Sequence, residues 1–139
     1  MPSETVKAFC GENHMAVVTT FRRSGGAQMS IVTAGPFRNG VAFSTTGDRA
    51  KLANLKRNPK CSLMVSQDDW RGYVVLEGTA ELLSPGMTEA EELRQALREV
   101  FRSASDGEHP DWEEFDRAMV KDERSVVVVV PEHVYGTKG

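Results

Sequence analysis

The stretch HMAVVTTFRRSGGAQMSIVTA, residues 14–34, decides the fold. His14 to Arg22 is rich in β-branched and apolar residues, Ser24-Gly25-Gly26 supplies a turn, and Ala27 to Ala34 returns with the same character. Two such runs around a glycine turn read as an antiparallel hairpin. Downstream, Gly35-Pro36 and Arg38-Asn39-Gly40 read as turn punctuation before a third strand, Val41 to Thr46. Asp48 to Asn58 changes period: Leu52 and Leu55 fall at i and i+3, Asp48 can cap, and Pro59 marks the exit of a short helix. Lys60 to Gln67 resumes strand character, Asp68-Asp69 turns, and Arg71 to Leu83 forms a long strand with Gly78 as a bulge.

The flanks complete the pattern. Pro2 to Gly11 reads as a short helix capped by Ser3, with Val6, Phe9 and Cys10 on one side. Thr88 to Glu91 and Asp111 to Glu114 have the capping-box form. Behind them lie the apolar stripes Leu93, Ala96, Leu97, Val100, Phe101 and Trp112, Phe115, Met119, the second reaching about Asp122. Ser125 to Val130 is uninterrupted β-branched sequence, expected of a strand buried on both faces and ended by Pro131. The sum is a mainly β (α+β) chain, a six-stranded antiparallel barrel with flanking helices, expected as one domain over residues 1–139.

Composition narrows the function. The longest strongly apolar run, Val126 to Val130, is far shorter than the roughly 20 residues of a membrane span, and the N-terminus lacks the pattern of a secretory signal. A cytoplasmic protein is expected. Net charge of -3 argues against nucleic acid as a partner. That total hides an asymmetry, because residues 1–88 carry 10 Lys and Arg against 7 Asp and Glu, whereas residues 89–123 carry 5 against 12. The first part can meet an anion. Cys10 and Cys61 match neither a redox pair nor a zinc spacing and read as free structural thiols. His14, His109 and His133 are scattered, so no metal site is expected.

Chemistry concentrates in Phe43-Ser44-Thr45-Thr46-Gly47-Asp48-Arg49-Ala50-Lys51, where a strand runs into a helix. Ser44, Thr45 and Thr46 offer hydroxyl donors, Gly47 permits close backbone approach, and the helix start presents free N–H groups at the positive end of its dipole. Arg49 can fork onto two phosphate oxygens while Lys51 adds a point charge. Lys56, Arg57 and Lys60 extend the positive field.

With these residues assembled, the chain resembles the pyridoxamine-phosphate-oxidase-like split-barrel superfamily, and within it the branch of coenzyme F420-dependent enzymes. The likeness runs through His14 to Thr20, the Ser30-centred second strand, Ser44 to Lys51, Asn54-Leu55 to Asn58-Pro59, Glu77 to Ala80 and the closing Pro131 to Gly136. It implies an FMN-binding-type split barrel and a homodimer with cofactor sites between protomers. Ser44, Thr45, Thr46, Arg49 and Lys51 would hold the phosphate, Thr19, Thr20, Ser30, Ile31 and Val32 would lie along the ring system, and Trp70 to Tyr73 would reach across from the other subunit. Ala27 departs from the proline many relatives carry there. The close Val134 to Gly139 lacks the longer basic and aromatic segment that pyridoxamine phosphate oxidases use for substrate, which disfavours that activity.

The resemblance therefore implies an oxidoreductase using the deazaflavin F420 to pass hydride to an enone, quinone or tetrapyrrole such as biliverdin. FMN is the alternative cofactor, and a noncatalytic carrier or sensor is the alternative role. The Lys56, Arg57 and Lys60 run favours F420, whose tail carries further negative charge. No catalytic residue is assigned; His14, Tyr73 and Tyr135 are the candidate proton donors.

Overall fold

The computed structural model describes residues 2–139. Helix α1 (Glu4–Glu12) is capped as expected, Ser3 Oγ accepting from Val6 N at 3.2 Å. The hairpin follows as β1 (Met15–Phe21) and β2 (Ala27–Thr33), paired in register from Met15 opposite Thr33 to Phe21 opposite Ala27. Then come β3 (Gly35–Phe37), β4 (Gly40–Thr45), α2 (Ala50–Arg57), β5 (Lys60–Ser66) and β6 (Tyr73–Leu83). Helices α3 (Ala90–Ser105) and α4 (Trp112–Lys121) precede the last strand, β7 (Ser125–Tyr135).

The seven strands form one antiparallel sheet in the order β2-β1-β5-β6-β7-β4-β3. Its two edge strands, β2 and β3, are joined by the single residue Ala34. A sheet whose opposite edges are one residue apart must curl until they meet, which makes a barrel split along one seam. Gly35-Pro36, expected as a turn, thus forms the corner and a short seventh strand. Gly35 is needed there because a Cβ would lie 2.5 Å from Ser103 Oγ, where α3 leans on the corner; Ser103 Oγ donates to Pro36 O at 2.6 Å.

Two apolar cores lie on opposite faces of β7. Val127 and Val129 join Val18, Phe43, Leu63 and Leu76 inside the barrel. Val126 and Val128 face Leu93, Leu97, Val100 and Phe115 of α3 and α4. The unbroken valine run therefore serves two cores, as its lack of alternation implies. Cys10 and Cys61 are buried free thiols, pushed up to about 12 by burial.

Three boundaries differ from expectation. Pro131 lies within β7, opposite Gly78 at the bulge between Glu77 and Gly78, where the ladder is already interrupted and a missing N–H costs little. A Cβ at Gly78 would lie 2.0 Å from Val130 O. The cap of α3 is Glu89, accepting from Glu92 N, while Thr88 Oγ1 takes the N–H of Ser84. The N-cap of α2 is Arg49, which makes no side-chain cap bond; Asp48 instead accepts from Thr46 Oγ1 at 2.7 Å.

A cationic cavity in the seam of the barrel

Strand β4 has two neighbours of unequal length. β7 pairs with it from Val41 to Thr45, whereas β3 covers only Gly40 to Ala42. Beyond β3 the edge of β4 is left open, and there a cavity of about 800 Å³ lies against β2, β4, α3 and α4. Ser44, Thr45, Thr46, Arg49, Lys51, Ser30, Ile31 and Val32 all line it. The split of the barrel thus brings together eight residues drawn from two separate stretches of sequence.

Three cations meet at this seam. Arg49 and Lys51 come from the start of α2, and Arg124 comes from the residue before β7. Arg124 Nη1 donates to Ser44 Oγ at 3.0 Å, while its buried Nε finds no hydrogen-bond partner among the described residues. None of the three forms an ion pair with a carboxylate among those residues. Burial, followed by repulsion from Arg49 and Arg124, holds the Lys51 ammonium below its ordinary value. A guanidinium nitrogen left unsatisfied away from water costs on the order of 1 to 3 kcal/mol, and an acceptor oxygen placed at Arg124 Nε would remove that cost.

The hydroxyls divide by face. Ser44 stands opposite Val126, on the helix side of β4, and its oxygen already accepts from Arg124, leaving its proton to donate outward. Thr45 stands opposite Ser125 on the interior face, is buried, and donates to Thr46 O at 3.4 Å. Thr46 Oγ1 donates to Asp48 and accepts from Arg49 Nε at 3.2 Å. Of the three hydroxyls, Ser44 is the one whose proton has no acceptor among the described residues. Gly47 makes its close approach to the chain itself: its N–H donates to Asp122 O at 3.2 Å, and a Cβ would lie 3.0 Å from that of Glu123.

Other expected residues lie elsewhere. Thr20 is buried and accepts from Asn54 Nδ2 at 3.0 Å; Asn54 also donates to Gln28 Oε1 at 2.9 Å. Thr20 thus anchors α2 to the first hairpin and does not line the cavity. Thr19 faces the other side of β1, across from Met29. Trp70 and Tyr73 lie at the β5–β6 turn, away from the cavity, with Trp70 exposed at φ 65°. Lys56 and Arg57 are at the far end of α2, Lys60 opens β5, and none of them lines the cavity; Arg57 donates to Phe21 O and Asn54 Oδ1.

Sequence reading missed Arg124 and the aromatic wall of Phe101, His109 and Phe115. Pairing the valine strand with residues 41–45 would have found Arg124, since Thr45 opposite Ser125 puts it beside Ser44.

A curled antiparallel sheet, split along one seam that holds a cationic cavity, defines a split-barrel protein of the pyridoxamine-phosphate-oxidase type. The chain belongs to the pyridoxamine 5'-phosphate oxidase family, whose sequence profile matches residues 2–138. Solved structures share the fold. A conserved hypothetical protein, Rv2991 of Mycobacterium tuberculosis, matches at TM-score 0.79 and 18% identity, covering 98% of this chain and 84% of that one. An F420 reductase matches at TM-score 0.68 and 18% identity over 100% of both chains. General Stress Protein 26 of Bacillus anthracis matches at TM-score 0.65 and 11% identity, covering 96% and 91%.

Proposed function

We propose that this protein is an oxidoreductase that seats the phosphate of deazaflavin F420 in the seam and brings an electron-poor acceptor such as an enone, quinone or tetrapyrrole against its ring. The observation that carries the reading is the trio Arg49, Lys51 and Arg124, unmatched by any carboxylate, with an orphaned Arg124 Nε. A phosphate dianion satisfies that donor set: Ser44 donates through its hydroxyl, Arg49 and Arg124 through planar guanidinium groups, Lys51 as a point charge, and the first turn of α2 through free N–H groups. Bound F420 supplies the hydride chemistry. The chain supplies anchorage, an apolar wall from Ile31 and Val32, and orientation.

A homodimer is part of the proposal. Met29 and Ile31 are 68% and 75% exposed on one sheet face with the half-exposed Met15, an apolar grouping that suits a protein interface. Ile31 belongs both to this face and to the cavity wall. A second copy docked there would close the cavity and bring Trp70 and Tyr73 of its own β5–β6 turn toward it.

FMN is the second reading, favoured by the placement of Lys56, Arg57 and Lys60 away from the cavity. Support for F420 comes from the full-length likeness to an F420 reductase. Purification from a host without F420, then titration with F420 and with FMN, separates them. Colourless protein that binds F420 more tightly supports the first reading; yellow protein as isolated supports the second. Binding without acceptor-dependent oxidation would make the protein a carrier.

A further inference from the structure

We propose that the end of the cavity under α3 and the start of α4 is a subsite for a planar, neutral, conjugated carbonyl compound, held by a hydrogen bond from His109 Nε2–H. Asp111 N–H donates to His109 Nδ1 at 3.0 Å. An accepting Nδ1 fixes the tautomer, so the proton sits on Nε2, which has no hydrogen-bond partner among the described residues. The ring is caged by Phe101, Phe115 and Trp112, with centroids at 5.4, 5.3 and 5.8 Å. Phe101 and Phe115 line the same cavity as His109, with Ser105 and Glu114; Ser105 Oγ already donates to Phe101 O and a carboxylate only accepts, so His109 Nε2–H is the side-chain donor left at this aromatic end.

This end is distinct from the phosphate seat. Arg124 follows the C-terminus of α4, and its N–H donates to Met119 O, whereas His109 precedes the N-terminus of α4. A helix of 10 residues separates the two by about 15 Å at 1.5 Å per residue. Glu114, also on the cavity lining, gives the His109 end a negative charge, which disfavours a second anion. Flat aromatic walls favour a planar conjugated ligand, and a lone N–H favours a carbonyl oxygen.

Calling the ligand an acceptor rests on the oxidoreductase reading, but the binding test does not. Calorimetric titration of the purified protein with 1-tetralone and with tetralin compares one bicycle with and without its carbonyl. The expected result is about fivefold tighter binding of 1-tetralone, lost in His109→Phe and retained in His109→Gln, with F420 or FMN affinity unchanged in both variants. Equal affinities in the unmodified protein, or a preference that survives in a folded His109→Phe, overturns the subsite. So does weakened cofactor affinity in His109→Phe, which would place the cofactor ring there. Failure of both cofactors to bind, with the 1-tetralone preference intact, would overturn the oxidoreductase reading and leave the subsite standing.

Discussion

Arg124 Nη1 donates a hydrogen bond to Ser44 Oγ at 3.0 Å, joining the end of β4 to the residue just before β7. This contact does little for Arg124 itself, because its Nε stays unsatisfied. It does polarise Ser44, whose proton finds no acceptor among the described residues. In the proposed reading, a phosphate seated in the seam supplies the acceptor that Arg124 Nε lacks among the described residues.

Arg124→Met should therefore stabilise the ligand-free protein by about 1 kcal/mol, because a similar volume is filled without an unmet donor. The same change should weaken a phosphate-bearing cofactor at least about tenfold. Thermal unfolding without ligand and a binding titration check both halves. A variant less stable than the parent and equally able to bind would contradict the role given to Arg124.

Lys51 gives the site a pH dependence of known sign. Its folded value lies below the ordinary one, through burial first and then repulsion by Arg49 and Arg124. Between the two values the unfolded chain holds more protons, so the empty protein gains stability as pH rises through that interval. Phosphate affinity moves oppositely and falls as the ammonium is lost. Titrations from about pH 7 to about pH 10 should show this fall in the parent and a flat profile in Lys51→Arg.

Asn54→Ala should act at a distance. It leaves buried Thr20 Oγ1 without its donor and frees Arg57 from one of its two partners, costing about 1 to 3 kcal/mol. Because Asn54 ties α2 to the hairpin, cofactor affinity should fall as well. Denaturant unfolding and cofactor titration measure the two effects, and a loss of stability with no change in affinity would show that α2 holds its place without this tie.

Ile31→Asp probes the dimer. A charge in the middle of the exposed Met15, Met29 and Ile31 grouping should shift sedimentation from dimer to monomer and loosen the cofactor. An unmodified protein that sediments as a monomer would refute the proposed assembly.

Most of the fold was legible because it follows local rules. The hairpin turn, the Ser3 and Asp111 caps and the Gly78 bulge each leave a signature within a few residues. The short strand Gly35–Phe37 was not legible, since its three-residue pairing with β4 around Arg38-Asn39 begins on Gly-Pro, which reads in sequence as turn punctuation. The same holds for the site. Ser44 to Lys51 announces itself by composition, but Arg124 and His109 enter through long-range packing, and nothing local to Thr20 shows that its hydroxyl accepts from Asn54.

The most direct test compares ligands that differ by the phosphate alone: FMN against riboflavin, and F420 against its phosphate-free deazaflavin chromophore. In the parent protein the phosphate-bearing member of the cofactor pair that binds should be held at least about tenfold more tightly, a preference erased in the Arg49→Ala, Lys51→Ala double variant. Equal affinity for both members of each pair in the parent, or a preference that survives the double substitution, would contradict the account.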